Sequence, residues 1–172
     1  MEPEHDMTIQ EKKQPWLLSL LFDNKISIWK YILRAGLISL VPSLIIVLIL
    51  GLTGVITDQT APKFKGSAIS LFVMMVIIGP PIETLIMAGV LWILSFITKR
   101  QVRLAIFSAI VWAVIHSLLA PAWGLGVIWP FFVFSCSYLA WKKRSWWHAI
   151  LVTSCVHAFQ NFLPAIMTIS IQ

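Results

Sequence analysis

Glu83 stands in the middle of an apolar run, Val76-Ile77-Ile78-Gly79-Pro80-Pro81-Ile82-Glu83-Thr84-Leu85-Ile86-Met87, and after Asp58 no other Asp or Glu occurs before the chain ends at Gln172. A carboxylate near a bilayer centre costs about 2.5–3.5 kcal/mol on insertion scales, so it persists where it has a partner or a task. The same chain carries His116, His157 and Asn161 in equally apolar surroundings. An acid, two imidazoles and a carboxamide gathered in a membrane read as an active site. His157 and Asn161 are four residues apart, so on a helix they share a face, with Thr153 one turn earlier. Trp112 and His116 have the same spacing, which predicts an aromatic ring against one side of that imidazole.

The setting follows from composition. Hydrophobic residues make up 59% of the 172 residues, charged ones 12%, and the mean hydropathy is +0.88. Soluble domains have roughly 45–50% apolar and 25% charged residues. The chain is therefore expected to be an all-α polytopic membrane bundle, a single membrane domain over residues 15–172. The net charge of +6 does not point to nucleic acid, because the basic residues fall in short clusters between apolar spans, where membrane topology and headgroups account for them. The lipid bilayer is the partner they imply. Cys136 and Cys155 lie inside apolar spans without a metal-ligating or redox spacing and read as inert thiols. Residues 1–14 are polar and mixed in charge, unlike a signal peptide, and are expected to form a disordered cytoplasmic tail in which His5 is simply solvated.

About 20 apolar residues are needed to cross the hydrocarbon layer, and about five segments qualify. They run from Ala35 to Ile56, Ser67 to Ile97, Leu104 to Leu119, Gly124 to Trp141 and Trp146 to Ile169. Gly79-Pro80-Pro81 is expected to break the second. Pro15 to Leu33, interrupted by Asp23-Asn24-Lys25 and Lys30, reads as an amino-terminal interfacial helix or helix pair. With Lys12, Lys13, Lys25, Lys30, Arg34, Lys99, Arg100, Arg103, Lys142, Lys143 and Arg144 in the cytoplasm, 11 of the 13 basic residues are inside and only Lys63 and Lys65 outside. This predicts a cytoplasmic amino terminus in a multi-pass protein of the cell membrane. Trp141, Trp146 and Trp147 read as interfacial anchors, and His148 beside them as interfacial. At 1.5 Å per residue, Glu83 then lies about 21 Å from the cytoplasmic end of its span, His116 about 18 Å, His157 about 17 Å and Asn161 about 23 Å from theirs. Helices running in alternating directions bring the four polar groups to one level.

The pattern resembles the CPBP intramembrane proteases, which include type II CAAX prenyl proteases and bacterial bacteriocin-processing or self-immunity proteins. Pro80-Pro81-Ile82-Glu83-Thr84-Leu85-Ile86-Met87-Ala88 is similar to their proline-entered Glu-Glu-x-x-x-Arg helix, Trp112 to His116 to their Phe-x-x-x-His, and His157-Ala158-Phe159-Gln160-Asn161 to their His-x-x-x-Asn. The likeness covers about Pro80 to Pro164, within a protease-like core of about residues 67–169. It implies an intramembrane endopeptidase acting on a peptide or protein substrate at the membrane. Glu83 and His116 would activate water, and His157 and Asn161 would stabilise the oxyanion.

The chain departs from the family pattern at Thr84, where the family has its second Glu, and at Ala88, where it has Arg. These two positions are one helical turn apart. Removing one partner of a buried ion pair costs about 3–5 kcal/mol, whereas neutralising both is nearly free, so their joint loss is coherent. Glu83, His116 and His157 would also make a zinc set. A metal-free mechanism with no cofactor is the favoured expectation, because a zinc site of two His and one Glu commonly needs a further acid as base, and no second acid lies in the membrane. The competing classes are a catalytically inactive bacteriocin-immunity or binding protein and a small proton-coupled transporter; no inverted repeat supports the last.

Overall fold

The computed structural model describes residues 15–170, and the tail expected to be disordered, residues 1–14, lies outside them. Among the described residues seven α-helices follow one another: α1 (Trp16–Phe22), α2 (Ile28–Leu52), α3 (Ala68–Phe72), α4 (Gly79–Leu94), α5 (Gln101–Leu119), α6 (Pro121–Trp141) and α7 (Trp146–Ser170), with a π-helical turn over Val73–Ile78 joining α3 to α4. Counting α3, the π turn and α4 as one, five helices among the described residues are long and apolar enough to cross a membrane. The protein is a multi-pass, all-helical membrane bundle. Large apolar residues such as Ile45, Leu48, Ile86 and Leu118 remain exposed on its flanks, as expected of side chains whose solvent is lipid.

The helix most buried by its neighbours is α6, with Phe131, Val133, Phe134, Cys136, Tyr138, Ala140 and Trp141 in the core. It leaves α5 with no intervening loop: Ala120 alone is extended, at φ −154° and ψ 119°, and Pro121 opens α6. Gly124 permits that hairpin, because a Cβ there would collide with the Ala113 carbonyl and the Ser117 hydroxyl. Ser145 starts α7, its Oγ accepting from the His148 N–H at 3.1 Å, so the exposed His148 lies in the first turn of that helix.

The amino-terminal region differs from expectation in where its break falls. Only α1 is a separate short helix; Ile28–Leu33 belongs to the first membrane helix. Arg34 does not end that helix because its charge is answered locally: it donates to the Leu20 carbonyl at 2.6 Å and the Asp23 carbonyl at 3.2 Å, and pairs with Asp23 Oδ2 at 3.4 Å. Tyr31 Oη donates to Leu21 O at 2.6 Å, and Asn24 Nδ2 donates to Ala140 O at 2.8 Å. These bonds fill the open carbonyls at the ends of α1 and α6.

Proline inside a membrane helix orphans a carbonyl, and lipid cannot supply the missing donor. Pro42, within α2, has no N–H for Ile38 O, and the Trp129 indole of α6 donates to that oxygen at 2.8 Å. The second span meets the same problem in a wider turn. The expected break at Gly79-Pro80-Pro81 is a widened turn, after which the helix continues. Gly79 N–H donates to Met74 O, five residues back, and Pro80 and Pro81 lie in the first turn of α4.

Candidate active site

Helix α4 carries Glu83, α5 carries His116, and α7 carries His157 and Asn161. Glu83 Oε2 lies 3.9 Å from His157 Nε2, with the glutamate side chain 31% exposed and the imidazole 5%. That separation is too long for a direct hydrogen bond. A single water placed about 2.8 Å from both atoms would see them at an angle of about 90°, close to what a water oxygen accommodates.

His116 is buried, and its Nδ1 is 2.9 Å from the Trp112 carbonyl oxygen. A carbonyl can only accept, so Nδ1 carries the hydrogen and the neutral ring keeps a lone pair at Nε2. The four-residue spacing thus does more than stack an indole on the ring: it fixes the tautomer through the backbone of Trp112. The Trp112 and His116 ring centroids are 5.6 Å apart and tilted.

The two imidazoles meet around one ring of α6. Phe131 is 5.3 Å from His116 and 5.7 Å from His157, and it stacks on Trp112 at 4.4 Å. Phe134 stacks on His157 at 4.3 Å. Among the described residues no hydrogen bond fixes the His157 tautomer. Aromatic walls pack against both rings, and among the described residues the Nε2 of each is without a hydrogen bond.

Above His116 the segment between α2 and α3 folds over the bundle. Trp123 and His116 pack perpendicular to each other with centroids 4.7 Å apart, and Phe64 and Trp123 do the same at 5.5 Å. The Ala122 N–H donates to Thr60 O at 3.0 Å.

Asn161 faces a different neighbour from the other three. Its Nδ2 donates to Met75 O at 2.9 Å, inside the π turn, so one of its two amide hydrogens is engaged by the protein itself. Thr84 is buried, and its Oγ1, like Thr153 Oγ1 and Trp112 Nε1, has no hydrogen-bond partner among the described residues. Each of these lies beside, or one turn from, Glu83, His157 or His116. Buried polar groups of this kind are ordinarily satisfied by ordered water. Ala88 packs partly buried against the core.

Among the described residues no three His, Cys, Asp or Glu side chains converge as a ligand set. Of the cysteines, Cys136 is buried and Cys155 is partly exposed. Cys155 lines an apolar groove of about 370 Å³ with Val76, Ala158, Phe159 and Phe162. That groove lies on the far side of α7 from His157.

Sequence reasoning missed Phe131, Phe134, Trp123 and Met75. The phenylalanines carry no signal among so many apolar neighbours. Met75 had one, since a proline at position 80 announces an orphaned carbonyl about one turn earlier. No protein-family model, curated protein or solved structure matches the chain.

Proposed function

We propose that this protein is an intramembrane endopeptidase of the CPBP type, in which a glutamate and histidines activate water against a peptide bond of a membrane-associated substrate. The observation that carries this reading is the Glu83 carboxylate, alone in mid-span and 3.9 Å from the buried His157 imidazole. A structural bundle has no use for such a group, and its cost in lipid is considerable.

The steps follow from the side chains. Water sits between Glu83 and the imidazoles; the Glu83 carboxylate takes one of its protons as the oxygen adds to the substrate carbonyl carbon. His116, with its lone pair at Nε2, suits an acceptor that orients this water, and while neutral it has no hydrogen there to give an oxyanion. His157, free to carry its hydrogen at Nε2, suits the donor that meets the oxyanion, joined by the second amide hydrogen of Asn161. Collapse of the tetrahedral intermediate breaks the C–N bond, and the proton held by Glu83 passes to the leaving amine. Phe131, Phe134 and Trp123 keep bulk solvent from the imidazoles. The cytoplasmic amino terminus and the cell membrane as location rest on the basic clusters.

A second reading is a membrane protein of the immunity type that binds a peptide without cutting it. It is favoured by Thr84 and Ala88, which replace charged residues of the family pattern, and by the engagement of one Asn161 hydrogen within the fold. Incubating the purified protein with candidate peptides, wild type against Glu83→Gln, separates the two: cleavage that depends on Glu83 supports the peptidase, and none by wild type moves the weight to the binding protein.

A further inference from the structure

We propose that Asn161 also has a positioning role: its amide supplies the hydrogen-bond donor that Pro80 withholds from the Met75 carbonyl, and so holds the turn from which Glu83 is presented to His157. In the π turn each N–H reaches five residues back, as Gly79 N–H does to Met74 O. By that register Met75 O should receive the N–H of residue 80, which is proline. Asn161 Nδ2 meets this oxygen at 2.9 Å. The device recurs in the same bundle, where the Trp129 indole serves Ile38 O, the carbonyl orphaned by Pro42.

The turn and the acid are close neighbours. A Cβ on Gly79 would stand 2.6 Å from Met74 O and 3.7 Å from Glu83 Oε1, so glycine is the residue that lets the turn close and leaves the carboxylate beside it. Helix α7 therefore grips this span at two points four residues apart, about 6 Å along its axis. Asn161 holds the turn and His157 faces the acid. Displacing the first contact moves the second. This role for Asn161 gives the engaged hydrogen a task, and its link to catalysis rests on the peptidase reading of Glu83 and His157.

The test is a double-mutant cycle that needs no substrate. Asn161→Leu keeps the volume and removes the donor; Pro80→Ala restores a backbone N–H to Met75 O. Asn161→Leu should lower the folding equilibrium of the full chain in detergent about tenfold in the Pro80 background, and less than about threefold when combined with Pro80→Ala. The infrared carboxyl band of Glu83, identified by its loss in Glu83→Gln, should shift in Asn161→Leu and return in the double variant. Equal losses in both backgrounds, or an unmoved carboxyl band in Asn161→Leu, would overturn the proposal. Should Pro80→Ala fail to fold, carbonyl-¹³C methionine labelling replaces it. The Met75 band, identified by Met75→Leu, must then rise in frequency in Asn161→Leu, and a band that stays put refutes the bond's role. Coupling without any peptide cleavage by wild type would leave the positioning role standing and remove only the peptidase reading.

Discussion

Replacing Glu83 in two steps should separate the carboxylate's charge from its reach. Glu83→Gln keeps the side chain's length and shape but cannot accept a proton from water, so substrate affinity should hold while turnover falls by about 10²–10⁴, the range for losing a general base. Glu83→Asp keeps the acid and withdraws it by one carbon, about 1.5 Å. Starting from the 3.9 Å gap to His157 Nε2, the separation grows to about 5.4 Å at most. A water about 2.8 Å from both atoms would then be held at about 150° rather than about 90°. Glu83→Asp should therefore retain part of the activity, with kcat reduced more than KM. The assay is mass-spectrometric cleavage of a peptide pool by each purified variant, matched for thermal stability. Turnover by Glu83→Gln at the wild-type level would refute the reasoning, and Glu83→Asp indistinguishable from wild type would refute the water bridge.

His116→Asn keeps a nitrogen donor where Nδ1 bonds to the Trp112 carbonyl but has nothing at Nε2, so it should fall about 10²–10⁴-fold in turnover while its melting temperature stays near that of wild type. Cleavage should survive chelation; activity lost with phenanthroline and restored by zinc would replace the mechanism with a metal-dependent one at the same residues. Trp129→Phe leaves Ile38 O without its donor and should cost about 1–2 kcal/mol of bundle stability. Adding Pro42→Ala, which restores the backbone N–H, should recover most of that cost, and a loss unchanged by Pro42→Ala would show that the indole matters only through packing.

What the amino-acid sequence determined by itself was everything that depends on local composition and spacing. Long apolar runs dictate membrane helices because lipid offers backbone groups no partner. The isolation of Glu83 among apolar residues marks it as costly wherever the helices end, and the four-residue spacings of Trp112 with His116 and of His157 with Asn161 follow from helical geometry alone. The edges were less legible. Arg34 reads as an interfacial charge until Asp23 and the α1 carbonyls are brought to it, and the two prolines read as a break until the π turn takes up the strain. Only the tertiary structure decided that the acid's near imidazole is His157, that Phe131 joins the two histidines, and that Asn161 spends a hydrogen on Met75 O. The physical reason is that each of these pairs joins different helices across long stretches of chain. Which residues meet there is set by how helices rotate and settle against each other, a property of the packed bundle that no single segment carries.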